Sequence, residues 1–542
     1  MQYPRAGSLS LFKSKSVALL DEVRLLIESS PNAFFILIST LVGFVALWHV
    51  TRSGICIITD SSYYLMVSES LVKYHAFATF TPDGHIKPLT VWPPLYPSLL
   101  SLFRLISISP AAAARWINAI LFGLNASLAG LLVKRVSRGG LIVAAACALL
   151  FLSSTSMLSL HWVALSEPLF IFFLLACLYS LCGYLENKRL GWLLAAACAA
   201  SMAWLTRYSG ISFVAAGTLA VLLLSDLKRA RRIVHAALFS LTASIPNLLW
   251  MVRNQIVAGT ASGKHFGWHP ATLSLFQDYL ITIARFILPE GMIPATVTAL
   301  ALLGLLLLLA LSWRRGHLKL SLNRAQKLLL LFAAAYSALL YISISFLDAN
   351  LVIDTWRLSL PICLIGFILA LSFVQRLFAS GGGNALNRRS RQAATACAIL
   401  FLCAFTFRGA QWISTSDSGE SKNVESSNFT SRYWTESSLI QALKELPPDT
   451  PIYTNGPDAL YVLTGRPAYP LPQKFNVETL QASASYEESL QAIGDKLKDG
   501  GVVVFLYTHR FANLPTQQEL LEKLALEEVF KDTTGKIFAK GR

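Results

Sequence analysis

Hydrophobic positions form long, nearly unbroken runs through the first three quarters of the chain and short alternating or helical patterns in the last quarter. Apolar windows lie near 33–51, 116–133, 140–157, 166–185, 190–205, 210–225, 233–252, 291–312, 328–347, 356–375 and 393–410. Each is roughly long enough to cross a hydrocarbon core of ~30 Å, which predicts eleven transmembrane helices. A short re-entrant or interfacial piece is expected within 95–115. Between the first two windows, Thr59–Pro97 is too polar for lipid and must lie at one membrane face. Its first half places Tyr64, Val67, Leu71 and Tyr74 on one side, with Glu69 and Lys73 spaced i,i+4 on the other, which predicts an amphipathic interfacial helix. Its end, Trp92-Pro93-Pro94-Leu95-Tyr96-Pro97, carries three prolines that remove donors and fix the backbone, so a stiff loop is expected.

Beyond Arg408 the pattern turns polar. A Ser/Asn/Glu-rich stretch makes 411–435 a flexible linker. Residues 436–542 then alternate in βα fashion: a helix at 436–446, a strand at Pro451–Thr454, a turn at Asn455-Gly456-Pro457, a helix at 484–498 and a buried strand at Gly501–Tyr507. No Gly-rich phosphate loop follows either strand, so this α/β domain is assigned no cofactor, and acceptor positioning or stabilisation is the expected role. Asn428-Phe429-Thr430 is a glycosylation sequon, a match that chance composition also explains.

Composition agrees. With 54% hydrophobic and 14% charged residues over 542 positions, the chain reads as a polytopic membrane protein rather than a soluble one. The formal charge of +16 does not mean nucleic acid: residues 411–542 hold 13 Lys+Arg against 17 Asp+Glu, so the excess belongs to the membrane part. There it sorts by loop. The N-terminal arm (1–32) and the loops around Lys134, Lys188, Lys228, Arg314–Lys327 and Arg376–Arg391 hold 22 Lys+Arg, against about ten in the alternate loops. The richer set is cytoplasmic by the positive-inside rule. This puts outer loops 53–115 and 253–290 and the C-terminal domain on the extracytoplasmic side of an inner (plasma) membrane. The eight cysteines include no CxxC pair, so neither a zinc site nor a disulfide framework is indicated.

One carboxylate, Asp60, follows the first span, then comes the interfacial helix and the PPLYP stretch; Ser166-Glu167-Pro168-Leu169-Phe170, Thr206-Arg207-Tyr208-Ser209-Gly210 and Asp354-Thr355-Trp356-Arg357-Leu358-Ser359-Leu360-Pro361 come later. In order and membrane placement this resembles the bacterial branch of the GT-C glycosyltransferases, which includes protein O-mannosyltransferases and lipid A aminoarabinose transferases. The resemblance covers most of 30–410 and implies a catalytic domain at 33–410. It implies a polyprenyl-phosphate-linked sugar as donor, with a glycan, lipid or protein as acceptor. It also implies that Asp60 is the catalytic base. The family often has two adjacent acids here; this chain has Asp60-Ser61, which argues against a tightly held metal. A divalent cation (Mg or Mn) would have Asp60 and Glu167 as ligands.

A sugar on a lipid phosphate needs positive charge on its leaving group rather than an acid. Arg207 and Arg357 suit it because guanidinium binds phosphate bidentately and both lie on the face poor in positive charge. Arg253 and Lys264 in the outer loop are further donor-binding candidates, and Glu167, Tyr63, Tyr96, Trp92 and His265 are candidates for positioning substrate. Each also has a structural reading. Asp60 could be an N-cap, Arg207 and Arg357 snorkelling arginines, Glu167 a first-turn acid beside Pro168, and the aromatics a membrane-interface belt. Asp354 could simply pair with Arg357 across one turn. Two other classes compete with a transferase: a lipid or glycan transporter (flippase) and a non-catalytic envelope assembly protein. A transporter would place its ionisable groups in broken helices at mid-membrane, whereas here they collect at one edge.

Overall fold

The computed structural model describes residues 30–80, 86–264, 267–268, 270, 273–287, 294, 296–297, 300, 322–347, 355–379, 388–415, 426–476, 481–509 and 511–541. The membrane part begins with α1 (Pro31–Val50), α2 (Thr59–Tyr74), a short antiparallel hairpin of β1 (Ala78–Phe80) and β2 (Ile86–Pro88), and α3 (Leu95–Arg104). There follow α4 (Pro110–Ser137), α5 (Leu141–Ser153), α6 (Thr155–Trp162), α7 (Glu167–Asn187), α8 (Leu190–Thr206), α9 (Ile211–Leu224), α10 (Arg229–Ala258), α11 (Leu273–Ile287), α12 (Arg324–Phe346), α13 (Thr355–Ala379) and α14 (Arg388–Thr415). Every apolar window coincides with a helix except 291–312, which lies almost wholly outside the described residues. Seven described helices are individually long and apolar enough to cross a bilayer, and α5 with α6, bent by 60°, makes an eighth. The chain is a multi-pass α-helical membrane protein.

Local chemistry explains the interruptions. Ser154 ends α5 and caps α6, its hydroxyl accepting from Met157 N at 3.4 Å. The chain stops again between α8 and α9, where Arg207 is extended and a turn of 3₁₀ helix covers Tyr208–Gly210. Only glycine fits at 210, because a Cβ there would stand 2.3 Å from the backbone nitrogen of Trp204.

Only the first half of the Pro-aromatic stretch, 92–94, is a loop; its second half opens α3. Pro94 precedes α3, and Pro97 occupies that helix's first turn, where a missing N–H costs nothing. Nor does Glu69 pair with Lys73; its carboxylate meets Arg104 Nε of α3 at 3.1 Å, tying the two interfacial helices together.

The C-terminal domain holds a mixed sheet in the order β4-β3-β5-β7-β6, with β3 (Ile452–Thr454), β4 (Tyr469–Pro470), β5 (Val502–Leu506), β6 (Leu526–Lys531) and β7 (Gly535–Lys540). β3 runs parallel to β4 and β5, while β7 is antiparallel to β5 and β6. Its helices are α15 (Ser438–Glu445), α16 (Pro457–Thr464), α17 (Tyr486–Lys496) and α18 (Gln517–Leu524).

The expected linker is largely structure. α14 continues to Thr415, and of the remainder 416–425 lies outside the described residues. From Asn428 onward the chain is packed: Trp434 and Phe429 are buried in an apolar core that also contains Ile55, Ile57 and Tyr64 of the membrane part. Backbone bonds reinforce it, with Phe429 N donating to Ile57 O at 2.9 Å and Ile57 N to Asn428 Oδ1 at 3.1 Å. Asn428 is thereby committed as an Asx turn, also accepting from Thr430 Oγ1 at 2.8 Å, so the sequon is a buried structural device. The C-terminal domain is thus anchored on residues 55–57, immediately before α2.

Candidate active site

Four charged side chains from four different segments meet at the bundle end that faces the C-terminal domain. Asp60 sits in the first turn of α2, yet it does not cap it; Ser61 Oγ accepts from Ile58 N instead, at 3.2 Å. Its carboxylate is turned to Arg357, with Nη2 to Oδ2 at 2.7 Å. Arg357 also reaches Glu167 Oε1 with Nη1 at 3.4 Å, and Arg207 Nη1 holds the same oxygen at 2.7 Å. Glu167 and Arg357 are buried, whereas the Asp60 and Arg207 side chains keep 24% and 18% of their exposure, so the cluster is open at both of its ends. Two acids and two guanidiniums balance.

Each arm is held by its own segment. Pro361 on α13 lacks the N–H that would bond the Arg357 carbonyl, and Tyr336 of α12 donates its hydroxyl to Leu358 O at 3.1 Å nearby. Ser166 Oγ accepts from Arg207 at 3.2 Å and shares a hydrogen bond with Tyr64 at 3.1 Å. The segment that delivers Ser166 and Glu167 is fixed by two asparagines one heptad apart on α4. Asn118 donates to His161 O and Val163 O at 2.9 and 2.8 Å, and Asn125 donates to Pro168 O at 2.9 Å.

An aromatic group packs beside the cluster, with Tyr63 and Trp92 partly exposed and Tyr64 and Tyr96 fully buried. Tyr63 stacks on Trp92 with centroids 4.9 Å apart, and Tyr64 meets Tyr96 edge-on at 5.1 Å. Burial, then the carboxylates of Asp458 and Asp60, hold the Tyr63 phenol well above its ordinary pKa. Burial does the same for Tyr96, followed by Tyr64 and Glu167, so both phenols are neutral, and the buried Tyr96 hydroxyl has no hydrogen-bond partner among the described residues.

Not every sequence candidate gathers here. Arg253 stacks over Trp250 and is occupied by Leu89 O, Phe77 O and Asn254 Oδ1, which makes it a tether for the hairpin segment. Lys264 lies in the loop after α10, next to Gly263, which abuts Thr90 and Val91. His265 and Asp354 lie outside the described residues. Ser166, Tyr336 and the Asn118/Asn125 pair were missed as supports; the signal was two amides spaced i,i+7 inside an otherwise apolar span. Among the described residues no three His, Cys, Asp or Glu side chains are grouped to hold a metal. Asp60 and Glu167 are each already bound to guanidinium, so this donor set does not fit a resident divalent cation.

This fold is that of the GT-C membrane glycosyltransferases. A family model described as dolichyl-phosphate-mannose-protein mannosyltransferase matches residues 91–250. The structure of ArnT from Cupriavidus metallidurans bound to undecaprenyl phosphate superposes with a TM-score of 0.56 at 14% identity, over 94% of this chain and 99% of that one. The archaeal oligosaccharyltransferase AglB from Archaeoglobus fulgidus, in complex with an inhibitory peptide and a dolichol-phosphate, gives a TM-score of 0.50 at 14% identity, over 89% of this chain and 70% of that one. No curated protein sequence matches.

Proposed function

We propose that the protein is a glycosyltransferase that moves a sugar from a polyprenyl-phosphate carrier to an acceptor, with Asp60 as general base and inversion at the anomeric carbon. The observation that carries this reading is the Asp60–Arg357–Glu167–Arg207 chain of ion pairs, buried at Glu167 and Arg357 and partly exposed at its two ends, Asp60 and Arg207. A buried network of this kind is poorly explained by stability, since apolar side chains would serve as well. It is well explained by a reaction whose leaving group is an anion. The lipid phosphate competes for Arg357, whose fork suits two phosphate oxygens, and Asp60 is released toward the acceptor. The acceptor O–H then attacks the anomeric carbon opposite the phosphate. The carbon–phosphate-oxygen bond breaks, the proton goes to the Asp60 carboxylate, and the phosphate departs carrying the bonding pair beside the guanidiniums. No step is routed through a metal ion.

ArnT bound to undecaprenyl phosphate supports the donor class by likeness of fold, and the charge asymmetry of the loops supports an inner membrane with the site on its extracytoplasmic side. The test is to incubate the purified protein with a panel of radiolabelled undecaprenyl-phosphate-linked sugars, with Asp60→Asn alongside. Transfer by the wild type that is lost in the variant is the expected result. Transfer with retained configuration, or near-normal turnover in Asp60→Asn, would overturn the mechanism. A cysteine introduced at Lys73, exposed near the end of α2, should react with an impermeant reagent from outside; reaction only from inside refutes the orientation.

A further inference from the structure

The C-terminal domain brings a third carboxylate to the same end of the molecule. Asp458, in the first turn of α16, is only 6% exposed, and its Oδ2 has no hydrogen-bond partner among the described residues. α16 packs on α2, the helix that carries Asp60 and Tyr63. Beside Asp458, the backbone of Gly456 presses so closely on His509 that a Cβ there would stand 2.9 Å from the imidazole Cδ2. His509 is itself 5% exposed, bonded to Thr508 Oγ1 at 2.9 Å and stacked on Phe429 with centroids 5.7 Å apart.

A buried carboxylate oxygen with no donor is costly, and such a group is retained where something else supplies the donor. We propose that Asp458 and Tyr63 form an acceptor subsite for a carbohydrate ring, which makes the acceptor of this enzyme a sugar rather than a peptide. The inference rests on the transferase reading above for the word acceptor, but the binding site stands on its own residues. A carboxylate can only accept hydrogen bonds, so it selects hydroxyl donors. Tyr63, stacked on Trp92, offers a flat apolar face for the ring's C–H groups. The Tyr63 phenol is held protonated by burial, Asp458 and Asp60 in that order, so its hydroxyl lies within the field of both carboxylates. The His509 imidazole is pushed below its ordinary pKa by burial, against the pull of Asp458, and stays neutral. The subsite therefore presents one anionic acceptor and neutral partners, a set that suits a neutral polyol. It also gives the C-terminal domain a part in positioning the acceptor, one of the two roles its lack of a phosphate loop suggested.

The test uses the full-length protein in nanodiscs and two readouts. Saturation-transfer NMR with methyl glucoside, methyl mannoside and methyl galactoside, against a neutral Ser/Thr tripeptide, should show glycoside binding in the wild type and in Asp60→Asn. The same signal should be lost in Asp458→Asn and reduced in Tyr63→Phe. Where turnover is found, Asp458→Asn should raise the acceptor KM at least tenfold with kcat little changed, while undecaprenyl phosphate binding stays at the wild-type level. Should Asp458→Asn loosen the domain, Tyr63→Phe alone carries the decision. Equal glycoside signals in wild type and both variants, or binding of the tripeptide but of no glycoside, would overturn the proposal. Glycoside binding that depends on Asp458 without any sugar transfer would sink the transferase reading and leave the subsite.

Discussion

Charged pairs are built in two ways in this protein. At the end of the bundle, Glu167 and Arg357 are buried and share their charges with Arg207 and Asp60. On the C-terminal domain, Lys523–Glu487 at 2.5 Å and Lys536–Glu528 at 2.6 Å are as short, yet Glu487 and Glu528 keep 65% and 41% of their exposure. Distance does not separate the two sets; water does. An exposed pair is worth ~0–1 kcal/mol because solvent screens it, whereas a buried pair gives up several kcal/mol of hydration per ion and regains it only through good geometry. A chain keeps the second kind where chemistry needs charge out of water.

The largest effect should come from the carboxylate that faces solvent. Asp60→Asn keeps shape and much of the hydrogen bonding but cannot take a proton, so turnover should fall roughly 10²–10⁴-fold with undecaprenyl phosphate binding retained. Radiolabelled transfer and lipid binding measured on one preparation check it. Next, Arg357→Lys keeps a charge without the fork and should lower turnover about a hundredfold, ~3 kcal/mol of barrier. Arg207→Lys should cost less, because Arg207 touches Glu167 but not Asp60. Equal losses in the two variants, read as kcat, would mean that both arginines meet the phosphate alike.

Much of this was legible beforehand. Long apolar runs marked the helices because a bilayer asks for a minimum apolar length, although α8 and α9, at 17 and 14 residues, are shorter than the seven long spans. Arg207 and Arg357 stood out as charges where topology does not ask for them, and Asp60 through the family resemblance. What stayed hidden was long-range. Nothing local says that Glu69 would choose Arg104 over Lys73, or that Asn428 would bond a backbone nitrogen 371 positions away. The linker misread has the same cause: Ser and Asn read as flexible until Phe429 and Trp434, two aromatics in a polar stretch, find a core supplied by residues 55–64. Strand β6 was missed because it is an edge strand with Glu527, Glu528 and Lys531 exposed, which looks like a surface helix or loop in isolation; β7, inside the sheet between β5 and β6, was missed with it because Lys536 and Lys540 interrupt its apolar run.

The packing between the two regions offers the next test. Trp434 is fully buried, lies edge-on to Tyr433 and Phe429, and donates Nε1–H to Ser426 O at 2.9 Å. Trp434→Ala should cost about 3–5 kcal/mol. The loss should appear as faster hydrogen exchange at 428–435 and also at 55–58, because the two segments bond to each other. Exchange confined to 428–435 would show that the anchor on the membrane part is independent of this ring.

The smallest effects should lie on the domain surface, and there pH separates one carboxylate from its neighbours. Glu519 is opposed by partial burial, but hydrogen bonds from Lys474, Tyr486 and the Thr516 amide prevail and hold its pKa down at about 2, against an ordinary 4.5. A depressed carboxylate stabilises the folded state fully above its ordinary pKa and loses that contribution as pH falls toward the folded value. Calorimetry of the full-length protein should therefore show a domain transition that is steady from about pH 7 to about pH 5 and then declines toward about pH 2. Glu519→Gln should flatten part of that decline and lower the transition at neutral pH. Lys498→Ala, which removes the exposed partner of Asp495, should leave both the neutral transition and the slope where they were. A Lys498→Ala shift as large as that of Glu519→Gln would mean that exposure does not divide the two kinds of pair after all.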